Sequence, residues 1–179
     1  MKLGIVTDEI SLKVEESLRY CNEWGIDRVE IRCLETGRVP YVDEEEIKRF
    51  IELKNKYGIR VTALSPGFFK GKLSEKEKYQ EELDKHLPKL VKLCERLETN
   101  MIIVFGLNKD KDEPASNQEG VVEVFGEIAK RTEKYGLKIA VENEPGFWCD
   151  TGSKTAEIIK KVNMKNFGSN WHPANEYYE

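Results

Sequence analysis

The sequence predicts an α/β fold in which a mainly parallel sheet is covered by helices. Three observations carry this. Apolar runs of strand length alternate with amphipathic stretches along the 179 residues. The phrase "aromatic, glycine, apolar, then strand" occurs three times, at Gly25, Gly58 and Gly136, in steps of 33 and then 78 residues, or two units of 39. That spacing is an internal repeat of helix, tight turn and strand. The strand ends, finally, carry polar clusters rather than a glycine-rich phosphate loop.

The elements follow in order. Residues 3–6 (LGIV) read as a strand, and Ser11 is a plausible cap for a helix whose stripe is Val14, Leu18 and Cys21. That helix ends at Trp24-Gly25, where glycine supplies the left-handed residue many helix ends use. A strand is expected over 28–32 and a helix over 44–57, with Ile47, Phe50, Ile51 and Lys54 on one side. The next strand covers 60–64. Residues 73–97 form a long helical region with Leu83, Leu87, Leu90, Val91, Cys94 and Leu97 inward and Pro88 as a kink or break. A strand at 101–105 and a polar loop at 108–118 precede a helix over 121–135. The last elements are a strand over 138–142, a helix over 153–162 capped by Thr151 or Ser153, and a sixth strand over 166–171.

Composition narrows the function. Charged residues make up 35% of the chain and the formal net charge is −4, which argues against an electrostatic grip on nucleic acid. No run approaches the length of a membrane span, and Met1-Lys2 leads directly into a strand, so a cytoplasmic protein is expected. Cys21, Cys33, Cys94 and Cys149 are far apart and form no Cys-x-x-Cys pair, so reduced thiols are expected. Cys21 and Cys94 fall on apolar helix faces, whereas Cys33 and Cys149 follow strands and stand where a site would be.

An open doubly wound sheet and a closed (β/α)8 barrel both fit the alternation. After LGIV comes TDEIS, with no nucleotide-binding fingerprint. Polar groups arriving at one end of many strands favour the barrel arrangement. The richest end is 138–146 (KIAVENEPG), where an apolar strand runs into Glu142, Asn143 and Glu144 before a Pro-Gly turn. A carboxylate at the C-terminal end of a buried parallel strand is where such barrels place metal ligands and acid–base groups.

The pieces LGIVTDEIS, EWGIDRVEIR, KYGIRVTALSPG, KIAVENEPGFWCDTG and NFGSNWHPAN run in order over nearly the whole chain. With them, the sequence resembles the xylose isomerase-like TIM-barrel superfamily, the sugar phosphate isomerase/epimerase group. The resemblance implies a divalent metal (manganese, magnesium, zinc or cobalt) at the C-terminal mouth of the barrel, gripping a small carbohydrate while a carboxylate moves a proton beside the carbonyl. In that family the metal is typically held by a Glu on the fifth strand, an Asp after the sixth, and a His and a Glu on the last two. By motif position Glu142 is the fifth-strand ligand. His172 stands where the family's W-D-P-A-N pattern has its Asp, and would favour zinc-like ions. His86, mid-helix, is expected on the surface or in packing.

Glu142 or Glu144 is the expected proton-transfer base. Glu30, Arg32 and Asn143 are candidates to orient substrate hydroxyls, with Phe147 and Trp148 covering the sugar. Glu30 and Arg32 read equally well as an internal ion pair, and the two aromatics as loop packing. Only six strands are readable, whereas a complete barrel takes about 250 residues. The expectation is therefore one domain over 1–179, an incomplete TIM-barrel-like repeat of about six βα units with the last two missing. Its first and last strands would expose edges that invite a homo-oligomer. Two other readings are a degenerate, non-catalytic barrel acting through assembly, and an abasic-site endonuclease type, the latter disfavoured by two His and net negative charge.

Overall fold

A computed structural model of the chain describes residues 2–177. In chain order the elements are β1 (Ile5–Val6), α1 (Val14–Glu23), β2 (Arg28–Ile31), β3 (Cys33–Leu34), β4 (Gly37–Arg38), α2 (Glu44–Tyr57), β5 (Arg60–Leu64), α3 (Lys76–Glu81), α4 (Leu87–Arg96), β6 (Met101–Val104), α5 (Gln118–Glu133), β7 (Lys138–Glu142), α6 (Gly152–Val162), β8 (Phe167–Asn170) and α7 (Pro173–Glu176). This is the α/β, TIM-barrel-like series of six strands and intervening helices that the repeat predicts. The hairpin β3–β4 is an addition with no signal in the repeat. The described residues form two compact units, one comprising the chain up to Pro66 with Lys89–Met101, the other Gly67–Pro88 and the chain from Ile102 onward.

In the first unit the strand order is β1-β2-β5, all parallel. Alternation along β2 and β5 sends Val29, Ile31, Val61 and Ala63 inward. They belong to a core that also holds Leu18 and Cys21 of α1, Ile47, Phe50 and Leu53 of α2, and Leu90 and Cys94 of α4. On α2 the inward stripe passes through Leu53 rather than Ile51, which lies half-buried at its margin. Gly58 ends that helix in the left-handed conformation with φ +66, as the repeated phrase requires. Ser11 does not cap α1, which begins two residues beyond Lys13's neighbour Leu12. Its hydroxyl instead accepts from the Lys13 amide and donates to Glu16, closing a turn ahead of the helix.

In the second unit the order is β6-β7-β8, and β7 and β8 are parallel from Ile139↔Phe167 to Glu142↔Asn170. Its core is aromatic, with Phe125 of α5 lying 5.9 Å from Phe69 and 5.2 Å from Phe167 between ring centroids. Thr151 caps α6 by accepting the Lys154 amide at 3.3 Å. Pro88 does not break the helical region. It sits in the first turn of α4, immediately after a π-helical turn at Glu82–His86. A widened turn is one way a helix absorbs the missing N–H and ring bulk of proline. His86 leaves that turn to pack on Phe68, with ring centroids 6.2 Å apart.

At the ends of the strand order, β1 has β2 as its one strand neighbour and β8 has β7, among the described residues. No helix of the described residues is long and apolar enough to cross a membrane.

Candidate active site at the end of β7

The parallel pairing of β7 and β8 ends at Glu142, opposite Asn170. Asn170 Nδ2 donates to Glu142 Oε2 at 3.3 Å. Glu142 is half-buried, and loss of water around its carboxyl raises its pKa above the ordinary carboxylate value. The charge of His172 pulls in the opposite direction, Glu144 adds to the rise, and the Asn170 bond and Lys70 oppose it. Glu142 and His172 therefore stand within electrostatic reach of each other.

Asn143 is completely buried and its side chain is spent on the backbone. Its Nδ2 donates to the His172 carbonyl at 3.0 Å, and its Oδ1 accepts from the His172 amide at 2.6 Å. Its own carbonyl accepts from Asn175 Nδ2 at 2.9 Å. Both polar atoms of the Asn143 amide, expected to orient substrate hydroxyls, are thus buried and engaged by the backbone of His172. It holds the segment that carries His172, whose imidazole is exposed at the start of α7.

Beyond Asn143 the chain reverses through Pro145 and Gly146, with the Phe147 amide donating to the Glu144 carbonyl at 3.2 Å. Gly146 has φ +81, the left-handed value that the third position of such a turn needs after proline. Glu144 Oε2 lies buried in this turn without a hydrogen-bond partner, as does Trp148 Nε1. Trp148 is 3% exposed, with Lys109 Nζ 4.5 Å from its ring centroid. Its ring is thus covered by this chain rather than open to cover a sugar, and Phe147 is likewise buried against Phe105.

Three loops of the second unit are stitched together beside this turn. The amides of Phe105 and Leu107 donate to the carbonyls of Phe68 and Phe69, Lys109 donates to Gly146, and Trp148 donates to Leu107. Phe69 and Leu107 are both fully buried and both adopt positive φ, +64 and +55. The Phe69 amide is held by Glu82 Oε2 at 2.9 Å. This anchoring fixes the next residue, Lys70, whose Nζ lies 3.8 Å from the Phe105 ring centroid. Lys70 is a site neighbour that sequence reasoning missed, and Asn170 one that it places in a polar strand end without naming it as a site residue. The signal for Asn170 was its register opposite Glu142, two residues before His172.

Glu30 and Arg32 belong to the first unit. Arg32 donates to Asp8 Oδ2 at 2.9 Å through Nε and to Glu9 Oε1 at 2.6 Å through Nη2. Those bonds hold its guanidinium charged and occupied. Arg32 is therefore an ion-pairing residue that ties the end of β2 to the segment after β1, through Asp8 and Glu9. Glu30 is half-buried, and its carbonyl accepts from Thr7 Oγ1 at 3.4 Å. Cys149, placed near a site by its position after a strand, is fully buried, and burial pushes its thiol up to about 12. It is no nucleophile at neutral pH.

Glu142 and His172 are suitable metal donors by type, a carboxylate oxygen and a ring nitrogen. No group of three His, Cys, Asp or Glu side chains placed to hold a metal ion occurs among the described residues. Two donors fall short of the three-ligand set that a catalytic ion needs, so the described residues do not by themselves fit the metal that the resemblance implies.

An α/β series of this kind, with polar groups gathered at a strand end, has the arrangement of a (β/α) barrel. The family model of the xylose isomerase-like TIM barrel matches residues 18–179, and the chain belongs to that family. It is 27% identical over 157 residues to an inosose isomerase of Bacillus licheniformis, covering 86% of this chain and 55% of the relative. Among solved structures, the IOLI protein with a zinc atom matches at 25% identity and a TM-score of 0.77, over 94% of this chain and 62% of that one. A probable 3-DHS dehydratase of petrobactin synthesis from Bacillus anthracis shares the fold, with a TM-score of 0.81 at 19% identity over 99% of this chain and 65% of that one. The chain thus spans between half and two thirds of the length of these relatives.

Proposed function

We propose that the end of β7 is the acid–base centre of a sugar or sugar-phosphate isomerase or epimerase, with Glu142 moving a proton at the carbon beside a substrate carbonyl. The observation that carries this is the half-buried Glu142 carboxylate at the strand terminus, made more basic by its surroundings and held by Asn170. A carboxylate whose pKa is lifted toward neutrality is a better proton acceptor while still ionised. Glu142 takes the proton from the carbon, and the C–H electron pair becomes the enolate carbon–carbon double bond as the carbonyl electrons move to oxygen. Return of the proton to the former carbonyl carbon, with the neighbouring hydroxyl passing its proton to the former carbonyl oxygen as the new C=O forms, isomerises the sugar; return to the opposite face of the same carbon epimerises it. Glu144, with one buried and unpartnered oxygen, is the second carboxylate able to carry a proton in the epimerase case. The name of the Bacillus licheniformis relative supports this reading, as does the family.

The family's divalent metal (manganese, magnesium, zinc or cobalt) remains part of the reading as a group for which Glu142 and His172 offer two donors, and the zinc atom of the IOLI structure supports it. The proton transfer above is written without it. A second reading, a non-catalytic chain that acts through assembly, is favoured by β1 and β8 each having one strand neighbour. Unpaired strand edges template further strands, so a homo-oligomer joined at these edges is proposed under either reading. Incubation with an inosose or a ketose in deuterium oxide tests the first. Deuterium appearing beside the carbonyl, by proton NMR, supports it; no incorporation above the protein-free rate for any of a panel of ketoses and inososes favours the second.

A further inference from the structure

Arg28 and Arg60 open two neighbouring parallel strands, and the register places them directly opposite each other. Paired residues of adjacent strands share a face, here the face opposite the buried Val29 and Val61. Two like charges so placed repel and weaken a sheet. The surroundings relieve them incompletely. Arg28 Nε forms a long ion pair with Asp27 Oδ1 at 3.6 Å, beyond hydrogen-bond reach, and this buried N–H has no hydrogen-bond partner. Arg60 has no ion-pair partner among the described residues. Both line a cavity of about 520 Å³ in the first unit, together with Lys54, Thr62 and Glu98.

The other charges of the cavity largely cancel. Lys54 Nζ donates to Glu98 Oε2 at 2.7 Å and to Asn55 Oδ1 at 3.0 Å. The backbone amides of Ile59 and Arg60 are committed to the carbonyls of Lys54 and Asp27. What remains is a guanidinium pair with an unmatched N–H at a cavity of the size that takes small molecules. Guanidinium forks match the geometry of phosphate and carboxylate oxygens.

We infer that the start of β2 and β5 is an oxyanion site, in which Arg28 and Arg60 together grip the phosphate or carboxylate group of a small molecule. An oxygen between the two arginines supplies the acceptor that Arg28 Nε lacks and removes the repulsion across the strand pair. The site rests on the first unit alone and does not depend on the acid–base reading of Glu142.

The test is titration of the full chain with inorganic phosphate, and separately with acetate, at ionic strength held constant with chloride. Calorimetry and the thermal midpoint are read for the wild type, Arg60→Gln and Arg28→Lys. Saturable binding is expected in the wild type, raising the midpoint by mass action. Arg60→Gln is expected to weaken it by about tenfold, the loss of one charge-assisted contact. Arg28→Lys, which keeps the charge and loses the fork, is expected to weaken it as well. In chloride alone Arg60→Gln should melt no lower than the wild type, because the repulsion is gone. Tighter phosphate than acetate binding assigns a phosphate-bearing ligand, and the reverse a carboxylate. Absence of saturable binding for both anions, binding unchanged in Arg60→Gln, or an Arg60→Gln midpoint below the wild type in chloride overturns the inference.

Discussion

The side chain of Asn143 closes a two-way clasp on the backbone of His172, donating to its carbonyl and accepting from its amide across 29 positions of sequence. The residue after the strand-end carboxylate thus sets where the imidazole-bearing segment lies. The segment bearing His172 is held to the residue next to Glu142 by a neutral, buried amide.

Asn143→Ala should cost about 2–4 kcal/mol, since it strands buried donor and acceptor groups of His172 as well as removing the bonds. Equilibrium urea unfolding reads this directly, and the thermal midpoint should fall by several degrees. Asn143→Asp keeps the acceptor but loses the donor and buries a charge, so it should rescue little.

The raised pKa of Glu142 gives a signed pH dependence. Its folded value lies above the ordinary value of 4.5 because burial disfavours the charged form. The stability it contributes is therefore fully present below 4.5 and is lost as pH rises through its raised folded value. Glu142→Gln removes the titration. The stability of the variant relative to the wild type should rise between acid and neutral pH, as measured by urea unfolding at a series of pH values. A constant difference would show that burial does not govern this carboxyl.

Glu82 is buried, its pKa is raised by that burial, and it holds the amide of the left-handed Phe69. Glu82→Ala should destabilise by about 1–3 kcal/mol through the orphaned amide, whereas Glu82→Gln retains an acceptor and should fall well short of that. Faster hydrogen exchange at Phe69 in Glu82→Ala, but not in Glu82→Gln, is the site-specific check.

Phe125 is fully buried, stacked on Phe167 and tilted against Phe69. Phe125→Ala should cost about 3–5 kcal/mol, the transfer loss plus the cavity left behind. Phe125→Leu should cost less, because the gap is smaller.

The strands at 60–64 and 138–142 were legible to the residue, because alternation and the preceding glycine turn are local signals. The π turn at Glu82–His86 and the hairpin at Cys33–Arg38 were not. Each answers a constraint elsewhere, a proline several residues on in one case and a short reversal after β2 in the other. At the candidate site Glu142 stood out because a carboxylate ending an apolar strand is visible in one dimension. The clasp of Asn143 and the capture of Arg32 by Asp8 and Glu9 were invisible, since their partners lie 29 and 23–24 residues away. Polar residues at strand ends look alike in sequence, and only the fold decides which are spent on the backbone.

The measurement that bears most directly on the account is proton exchange beside the carbonyl of an inosose or ketose in deuterium oxide, compared between the wild type and a folded Glu142→Gln protein. The account predicts exchange in the wild type and a loss of at least about a hundredfold in Glu142→Gln, in the range typical of general acid–base groups, with the circular-dichroism spectrum unchanged. Exchange proceeding at the wild-type rate in Glu142→Gln would contradict it.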